Sequence, residues 1–551
     1  MTAKKNPSLH LSPSRRRAFT AALSVAGILL STTPAAYAAN TTWVGNTDAN
    51  FSTLANWNTL TPNGNTPLFG VAGTSGTTLN NDLSGATYAG ITYNSGASAF
   101  TIGGNSFTLN GNITNSSSSL QTINNDMTLS SGNKTLAGGA GGLTLTGALT
   151  YSQATAGLFI TGTVNSAGTV TVSSTANNNG FMTIAGNQTL NITGGTFSIL
   201  GTTAGTKPGT IIGQNAGGTA NLNVNGGNLV IGSETALAFG NNITSAIGVM
   251  TITSGTATIN RGSTTATDVR SFIALGRDTG TGTINLNGGT LSTDRNFIRD
   301  GSSSADTLGA ANFVFGGGTL KALANQTDWL NSSTKNTNQL ALSSVTTTSA
   351  ASTIDSNGFT VAINNAITGS GGFHIISSSG NGTVNFGGSS YAYTGATSVD
   401  SGTFNTNASS VAFSGNLAVA GGKLTINGTG TGAISAVDFS MSSGTWTVSI
   451  GDTVSTSGNM SITGGVLDAT AFAGSEATYS STGYTLFTSI GGTSSVSGLS
   501  ITGYDTNTYI ASLSNAGVLT FSAIPEPSTY AVLAGVLTLG VASFRRRRTS
   551  V

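Results

Sequence analysis

Between Gly282 and Leu291 the chain reads GTINLNGGTL, and near copies of this stretch recur along the middle of the sequence. Ile284 and Leu286 alternate with Thr283, Asn285 and Asn287, the period of two expected of a half-buried strand. Gly288-Gly289 then breaks the strand and supplies the φ > 0 conformations that a sharp corner needs. The copies are TLNITGGTF (Thr189 to Phe197), ANLNVNGGNL (Ala220 to Leu229), VMTITSGTA (Val249 to Ala257) and ANFVFGGGTL (Ala311 to Leu320). Aligned on the glycine corner, they place Ile192, Val224, Ile252, Leu286 and Phe315 in register. A strand–corner–strand unit that recurs at a period of about 30 residues predicts an all-β solenoid rather than a helical array. One unit buries two or three apolar side chains, too few to offset the entropy of ordering about 30 residues. The unit must therefore stack on its neighbours and share one core with them.

Composition agrees with a folded repeat body. Of 551 residues 78 are Gly, and only 7% are charged. Low charge with abundant Ser, Thr and Asn could suggest disorder. Disorder, however, combines low hydrophobicity with high net charge, and here 37% of residues are hydrophobic. There is no cysteine, which excludes disulfides, thiolate metal sites and a Cys nucleophile. The two histidines are His10 and His374. His10 falls in the leader described below, so a mature chain would keep one histidine and no multi-His metal site. His374, flanked by Phe373, Ile375 and Ile376, reads as structural. The net charge of +1 hides an asymmetry. Lys4, Lys5, Arg15 to Arg17 and Arg545 to Arg548 crowd the ends, leaving the body near −7. A nucleic-acid partner would need a basic patch that this body lacks.

The first 38 residues read as a secretory signal peptide. Arg15-Arg16-Arg17 precedes an apolar run from Ala18 to Leu30, and Ala36-Tyr37-Ala38 fits the small-x-small cleavage pattern. Signal peptidase is expected to cut between Ala38 and Ala39. Arg16-Arg17-Ala18-Phe19 also resembles a twin-arginine signal, and a Sec signal with three arginines accounts for it equally well.

At the other end, Pro525-Glu526-Pro527-Ser528-Thr529-Tyr530 leads into an apolar run from Ala531 to Phe544, closed by Arg545, Arg546, Arg547 and Arg548. Two prolines keep the first segment extended. The arginines would stop the apolar run at the cytoplasmic face. The run falls short of the ~20 residues of a stable span, which suits a transient anchor. This tail, over Pro525 to Arg548, closely resembles the PEP-CTERM sorting signal. The resemblance implies recognition by an exosortase-type membrane enzyme, cleavage near Pro525–Pro527, and release or transfer to the cell surface. The membrane would then be met only through the C-terminal helix, before processing.

Residues 39–75 are expected to form an N-terminal cap, since Trp43, Asn56-Trp57 and Pro67-Leu68-Phe69-Gly70 concentrate aromatic groups before the repeats begin. Their pattern resembles the start of autotransporter-associated β-strand repeat proteins. A lid without ligand is favoured there over a carbohydrate-stacking site. Residues 76–345 carry the first repeats and 346–522 a second style. There Tyr391-Ala392-Tyr393-Thr394-Gly395, Thr397-Ser398-Val399 and Gly402-Thr403-Phe404 resemble the autotransporter-associated repeat itself. That family implies a right-handed parallel β-helix at the cell surface. Tyr484 to Phe487, Tyr504 and Tyr509 to Leu513 suggest a C-terminal cap, with a linker at Ser522-Ala523 before the tail of 523–551. Whether the rod is one solenoid or two, jointed near 325–350, is left open by the sequence.

The densest charged region of the body runs from Arg261 to Asp306, with five Arg and five Asp, including Gly276-Arg277-Asp278 and Ile298-Arg299-Asp300. It reads either as a polar binding strip or sugar-lyase-like site, or as a row of loop ion pairs that keeps one face soluble. The second reading is favoured. No Walker loop, metal-spaced cluster, calcium-binding nonapeptide repeat or serine–histidine pair occurs, so no catalytic residue, metal or cofactor is expected. The function expected is an exported, surface-sorted structural or adhesive protein of the envelope, matrix or biofilm, with extracellular polysaccharide as a partner. A polysaccharide-active or polysaccharide-binding β-helix is the alternative. An ice-binding solenoid is a remote one, given unevenly spaced Thr-x-Thr triplets such as Thr144–Thr146 and Thr169–Thr171.

Overall fold

The computed structural model describes residues 38–551 except 177–180, 215–216, 242–245, 264–267, 278, 301–308, 335–338, 427–431, 526 and 549–551. The chain divides into a unit ending at Ala39 and a second running from Asn40 onward. Ala36 lies outside the described residues, whereas Ala38 and Ala39 are exposed, directly before the first strand, Asn40–Thr42.

From Asn40 the chain is a parallel β-solenoid of about 17 turns. Each turn lays short strands on three faces, and each strand pairs in parallel with its counterpart one turn on. The first face stacks eleven strands, from Asn40–Thr42 to Asn296–Arg299. It is carried onward by Leu330, bridged to Phe297, and by Gln326, bridged to Val361. The second face begins at Thr78–Asn81 and the third at Ala86–Tyr88. The second and third ladders cross 325–350 without a break, through the pairs Phe313↔Val345 and Leu320↔Ile354. The rod is thus continuous where a joint was conceivable.

Alternation builds the interior. Ile192, Val224, Ile252, Leu286 and Phe315 stand directly above one another in the second ladder. All five are fully buried. The residues between them point outward and form their own column. There Asn191 donates to Asn165 at 2.7 Å and Asn223 donates to Asn191 at 2.9 Å. The corners after these strands need glycine for two reasons. Gly255 has φ +78°, and a Cβ there would sit 2.1 Å from the Gly227 carbonyl oxygen of the turn below. Gly289, at φ +58°, would meet the Gly255 oxygen at 2.5 Å. Left-handed backbone and axial contact coincide in one column.

Turn length varies along the rod. Near the N-terminal end the turns are short: Phe100 and Gln121, bonded across one turn, are 21 apart in sequence, and Asn124 and Thr146 are 22 apart. In the middle they lengthen. Asn228 and its register partner Thr256 are 28 apart, and Thr251 and its partner Asn285 are 34 apart. Past Thr347, which pairs with Gly369, the turns are short again until the last, in which Met460 pairs with Ser494. The additional residues of the middle turns lie in the connections on either side of the first face.

Both ends are closed by aromatic packing. Trp43 lies edge-on to Trp57 at 5.1 Å, and Phe51 to Trp57 at 5.3 Å. The Asn56 side chain binds this segment together, accepting from Thr47 N (3.0 Å) and donating to Asp48 Oδ1 (2.7 Å). Trp43 and Trp57 are buried, so neither ring is a stacking platform for a sugar. At the far end Tyr484–Thr485, Val518–Ala523 and Tyr509–Leu513 form an antiparallel sheet. Ser522 and Ala523, expected as a linker, pair instead with Ile510 and Tyr509 as the last residues of a strand. The pairing thus changes from parallel to antiparallel at this end. The helix Pro527–Arg548 follows. Pro525 before it is exposed, as are Arg545 and Arg546 on it. Glu526 and the side chains of Pro527, Arg547 and Arg548 lie outside the described residues. Val532, Leu533, Val536, Leu537, Leu539, Val541 and Phe544 are all exposed on that helix. Among the described residues no helix is long and apolar enough to cross a membrane.

Candidate functional site

Where the turns are longest, the first face is buried on both sides. Its strands Gly209–Gln214, Ala236–Asn241 and Phe272–Leu275 carry consecutive apolar residues instead of alternating ones. Ile212, Phe239 and Leu275 fill the interior, while Ala238, Phe272, Ala274 and Ile298 make a second apolar cluster on the outer side. Over that cluster lies a groove of about 530 Å³. Ile211, Ala238, Phe272 and Ala274 line it, with Gln214, Asn241, Arg277 and Asp300 among its polar groups. Gln214 and Asn241 are register partners on adjacent turns. Each follows a glycine of positive φ, Gly213 (+81°) and Gly240 (+65°), and Arg277 follows Gly276 (+62°) in the same way. A glycine in that conformation turns the chain off the sheet, so the next side chain stands at the groove margin.

Charges gather beside the groove rather than in a reacting constellation. Arg270 grips Asp268 with two prongs, Nε to Oδ1 at 3.0 Å and Nη2 to Oδ2 at 2.8 Å. Its Nη1 meets Glu234, and Lys207 Nζ lies 3.2 Å from Asp268. The Arg270 side chain is the main reason that the Asp268 carboxyl lies well below the usual carboxylate range, and Asp268 in turn raises the Arg270 guanidinium. A carboxylate held so firmly ionised neither donates nor takes up a proton near neutrality. Arg277 Nε stands 3.4 Å from Asp300. Arg295 is fully buried, donating to the Asn260 carbonyl (2.7 Å) and the Gly232 carbonyl (3.0 Å). Burial pushes its guanidinium down to about 10. Asp294 Oδ1 accepts from the Arg261 backbone at 2.5 Å, and Arg299 is bridged to Leu340. Asp278 and Asp306 lie outside the described residues. Of the charged strip, the structure therefore brings Arg277 and Asp300 to the groove, pairs Arg270 with Asp268, holds Arg295 on backbone carbonyls, and engages Arg261 and Arg299 through their backbones.

Other ionisable groups are isolated. His374 is on an outward position of Phe373–Ile376, with Nδ1 2.6 Å from Asp400 Oδ2 at the surface. Asp452 is buried and raised by desolvation, and it accepts from Ser449 N (2.7 Å) and Gly432 N (2.9 Å) to hold a corner. Among the described residues no three His, Cys, Asp or Glu side chains are grouped to hold a metal ion.

Gln214, Asn241, Ala238, Phe272 and Ala274 were not singled out by the sequence reading. Their signal was present as the doubled apolar runs Ile211-Ile212, Leu237-Ala238-Phe239 and Phe272-Ile273-Ala274-Leu275, each ending in glycine and a polar residue. Fold and groove together define a parallel β-solenoid with a lateral cleft. No family model, curated protein or solved structure matches the chain.

Proposed function

We propose that this chain is an exported, surface-sorted structural and adhesive rod of the bacterial envelope, matrix or biofilm, without catalytic activity. The observation that supports it most is the division of roles in the alternating strands of the ladders. Apolar residues fill a continuous interior, and the outward columns carry Asn, Thr and Ser. The winding is read as right-handed, the hand that parallel crossovers adopt and that the autotransporter-type repeat implies. The PEP-CTERM-like tail gives the rod its address. Signal peptidase would act at Ala38–Ala39 and an exosortase-type enzyme near Pro525–Pro527, so the inner membrane holds the chain only in passing. An enzyme reading has less behind it, because Asp268, the carboxylate most perturbed near the groove, is locked in its charged form by Arg270. The ice-binding reading has outward threonine columns on separate faces, Thr87, Thr108, Thr128, Thr150 and Thr171 in the third ladder and Thr78, Thr101, Thr122 and Thr144 in the second. In the third ladder the strands Ala86–Tyr88, Phe107–Leu109 and Met127–Leu129 each present a single outward side chain, a file rather than a plane.

The test is made in the host cell. Replacing Pro525-Glu526-Pro527 by three alanines is expected to leave the chain in the inner-membrane fraction. It should also alter attachment or aggregation as gene deletion does. A deletion strain with unchanged surface properties but lost polysaccharide turnover would overturn the proposal in favour of the enzyme.

A further inference from the structure

We propose that the groove on the outer side of the first face holds a segment of a neutral, hydroxyl-rich glycan laid along the rod axis. Three observations carry this. First, the floor is apolar and small-sided: Ala238 and Ala274 sit side by side in the ladder, with Phe272 and Ile298 in the same cluster. An aliphatic and aromatic floor suits the C–H face of a sugar ring, and a volume of about 530 Å³ is within the range of small-molecule sites.

Second, the polar margin is built but unfinished. Asn241 is 2% exposed, and its Oδ1 has no hydrogen-bond partner. Buried acceptors are nearly always satisfied, and a ligand hydroxyl donating to Oδ1 would satisfy this one. Arg277 and Asp300, at 3.4 Å, set a donor beside an acceptor, the pairing that neighbouring hydroxyls of a sugar require. Gln214, Asn241 and Arg277 follow one another on successive turns, which are spaced by about 4.8 Å in a parallel ladder. A polymer running along the axis therefore meets similar groups at each step.

Third, among the described residues the charges at the groove are matched. Lys207 is paired with Asp268 and Arg277 with Asp300. An acidic glycan would have to displace a carboxylate from one of these cations, whereas a neutral one need not.

This inference deepens the adhesive reading by naming the class of polymer that the rod grips, and it is tested on purified protein apart from the question of sorting. The full chain in mild detergent is titrated calorimetrically with cellotetraose, maltotetraose and mannotetraose, with tetragalacturonate as the acidic arm. At least one neutral tetrasaccharide should bind, and tetragalacturonate should bind at least tenfold more weakly. Ala238→Phe, which fills the floor, should lower affinity at least tenfold. Arg277→Gln, whose side chain is 39% exposed, should lower it severalfold, with a circular dichroism spectrum like that of the wild type showing that the variant is folded. The proposal is overturned by no neutral binding at millimolar concentration, by tighter binding of the acidic tetramer, or by Arg277→Gln binding as the wild type does. None of these results would bear on where the cell sends the protein.

Discussion

The glycine corners are where single residues matter most. Gly76 and Gly255 have nearly the same φ, +77° and +78°, but a Cβ at Gly76 meets nothing within 4 Å. At Gly255 it would lie 2.1 Å from a carbonyl oxygen of the adjoining turn. Gly76→Ala is therefore expected to cost only the left-handed backbone term, about 1 kcal/mol. Gly255→Ala adds a backbone displacement between turns and should cost about 3 kcal/mol or more in total. Thermal melts followed by circular dichroism compare the two, and equal losses would show that the axial contact relaxes freely. The need for glycine at these corners was legible in the sequence from the repeated Gly-Gly and Ser-Gly pairs. The stacking of one corner on the next was not, because it depends on which turn lies below.

Among elements, the connection around Lys207, Glu234, Asp268 and Arg270 ties three successive turns together. Asp268 is held below its usual range mainly by Arg270, and an unfolded aspartate titrates near ~3.9. The charged form is thus favoured by folding. Its contribution is present in full above about pH 4 and declines as pH falls further toward the lowered value. Asp268→Asn should lower the melting temperature at pH 7, and the gap from wild type should narrow steadily as pH falls below 4 without having closed at pH 2. A gap that stays constant with pH would remove Asp268 as the source. Pairing of this kind was out of reach of the sequence. Arg270 and Glu234 are 36 residues apart, and the turns of this region differ in length from one to the next, so no fixed spacing announces a partner. The alternating strands needed no such knowledge. Their period of two identifies the interior side by itself, and Ile192, Val224, Ile252, Leu286 and Phe315 could be aligned before any fold was in view. The groove escaped for the opposite reason. Its doubled apolar runs look like ordinary core until the outer side of the ladder is seen to carry an apolar cluster of its own.

At the scale of the molecule, a solenoid tolerates loss of a whole turn but not of part of one. Ile123 is in register with Leu145, so removing residues 123–144 joins Thr122 to Leu145 and preserves all three ladders and the inward side. Such a chain should fold, with a β-sheet spectrum and a melting temperature within a few degrees of wild type. Removing 123–133 instead takes out the third-face strand Met127–Leu129 but keeps the first-face strand Lys134–Ala137, so the strands that follow fall on the wrong faces, and it should give an aggregated product. Soluble, folded protein from the second deletion would show that the turns are not the units of assembly.

The parallel ladders also decide how the rod bears load. Their hydrogen bonds point along the axis, so tension between the two ends peels one turn from the next instead of shearing many bonds at once. Each turn released adds its own length of slack, on the order of 70–120 Å of extended chain. Closed at one end by Trp43 and Trp57 and at the other by the antiparallel strands, such a rod yields in small steps. A cell tethered through it would feel a compliant spring that lengthens under drag and can rewind when the flow slackens.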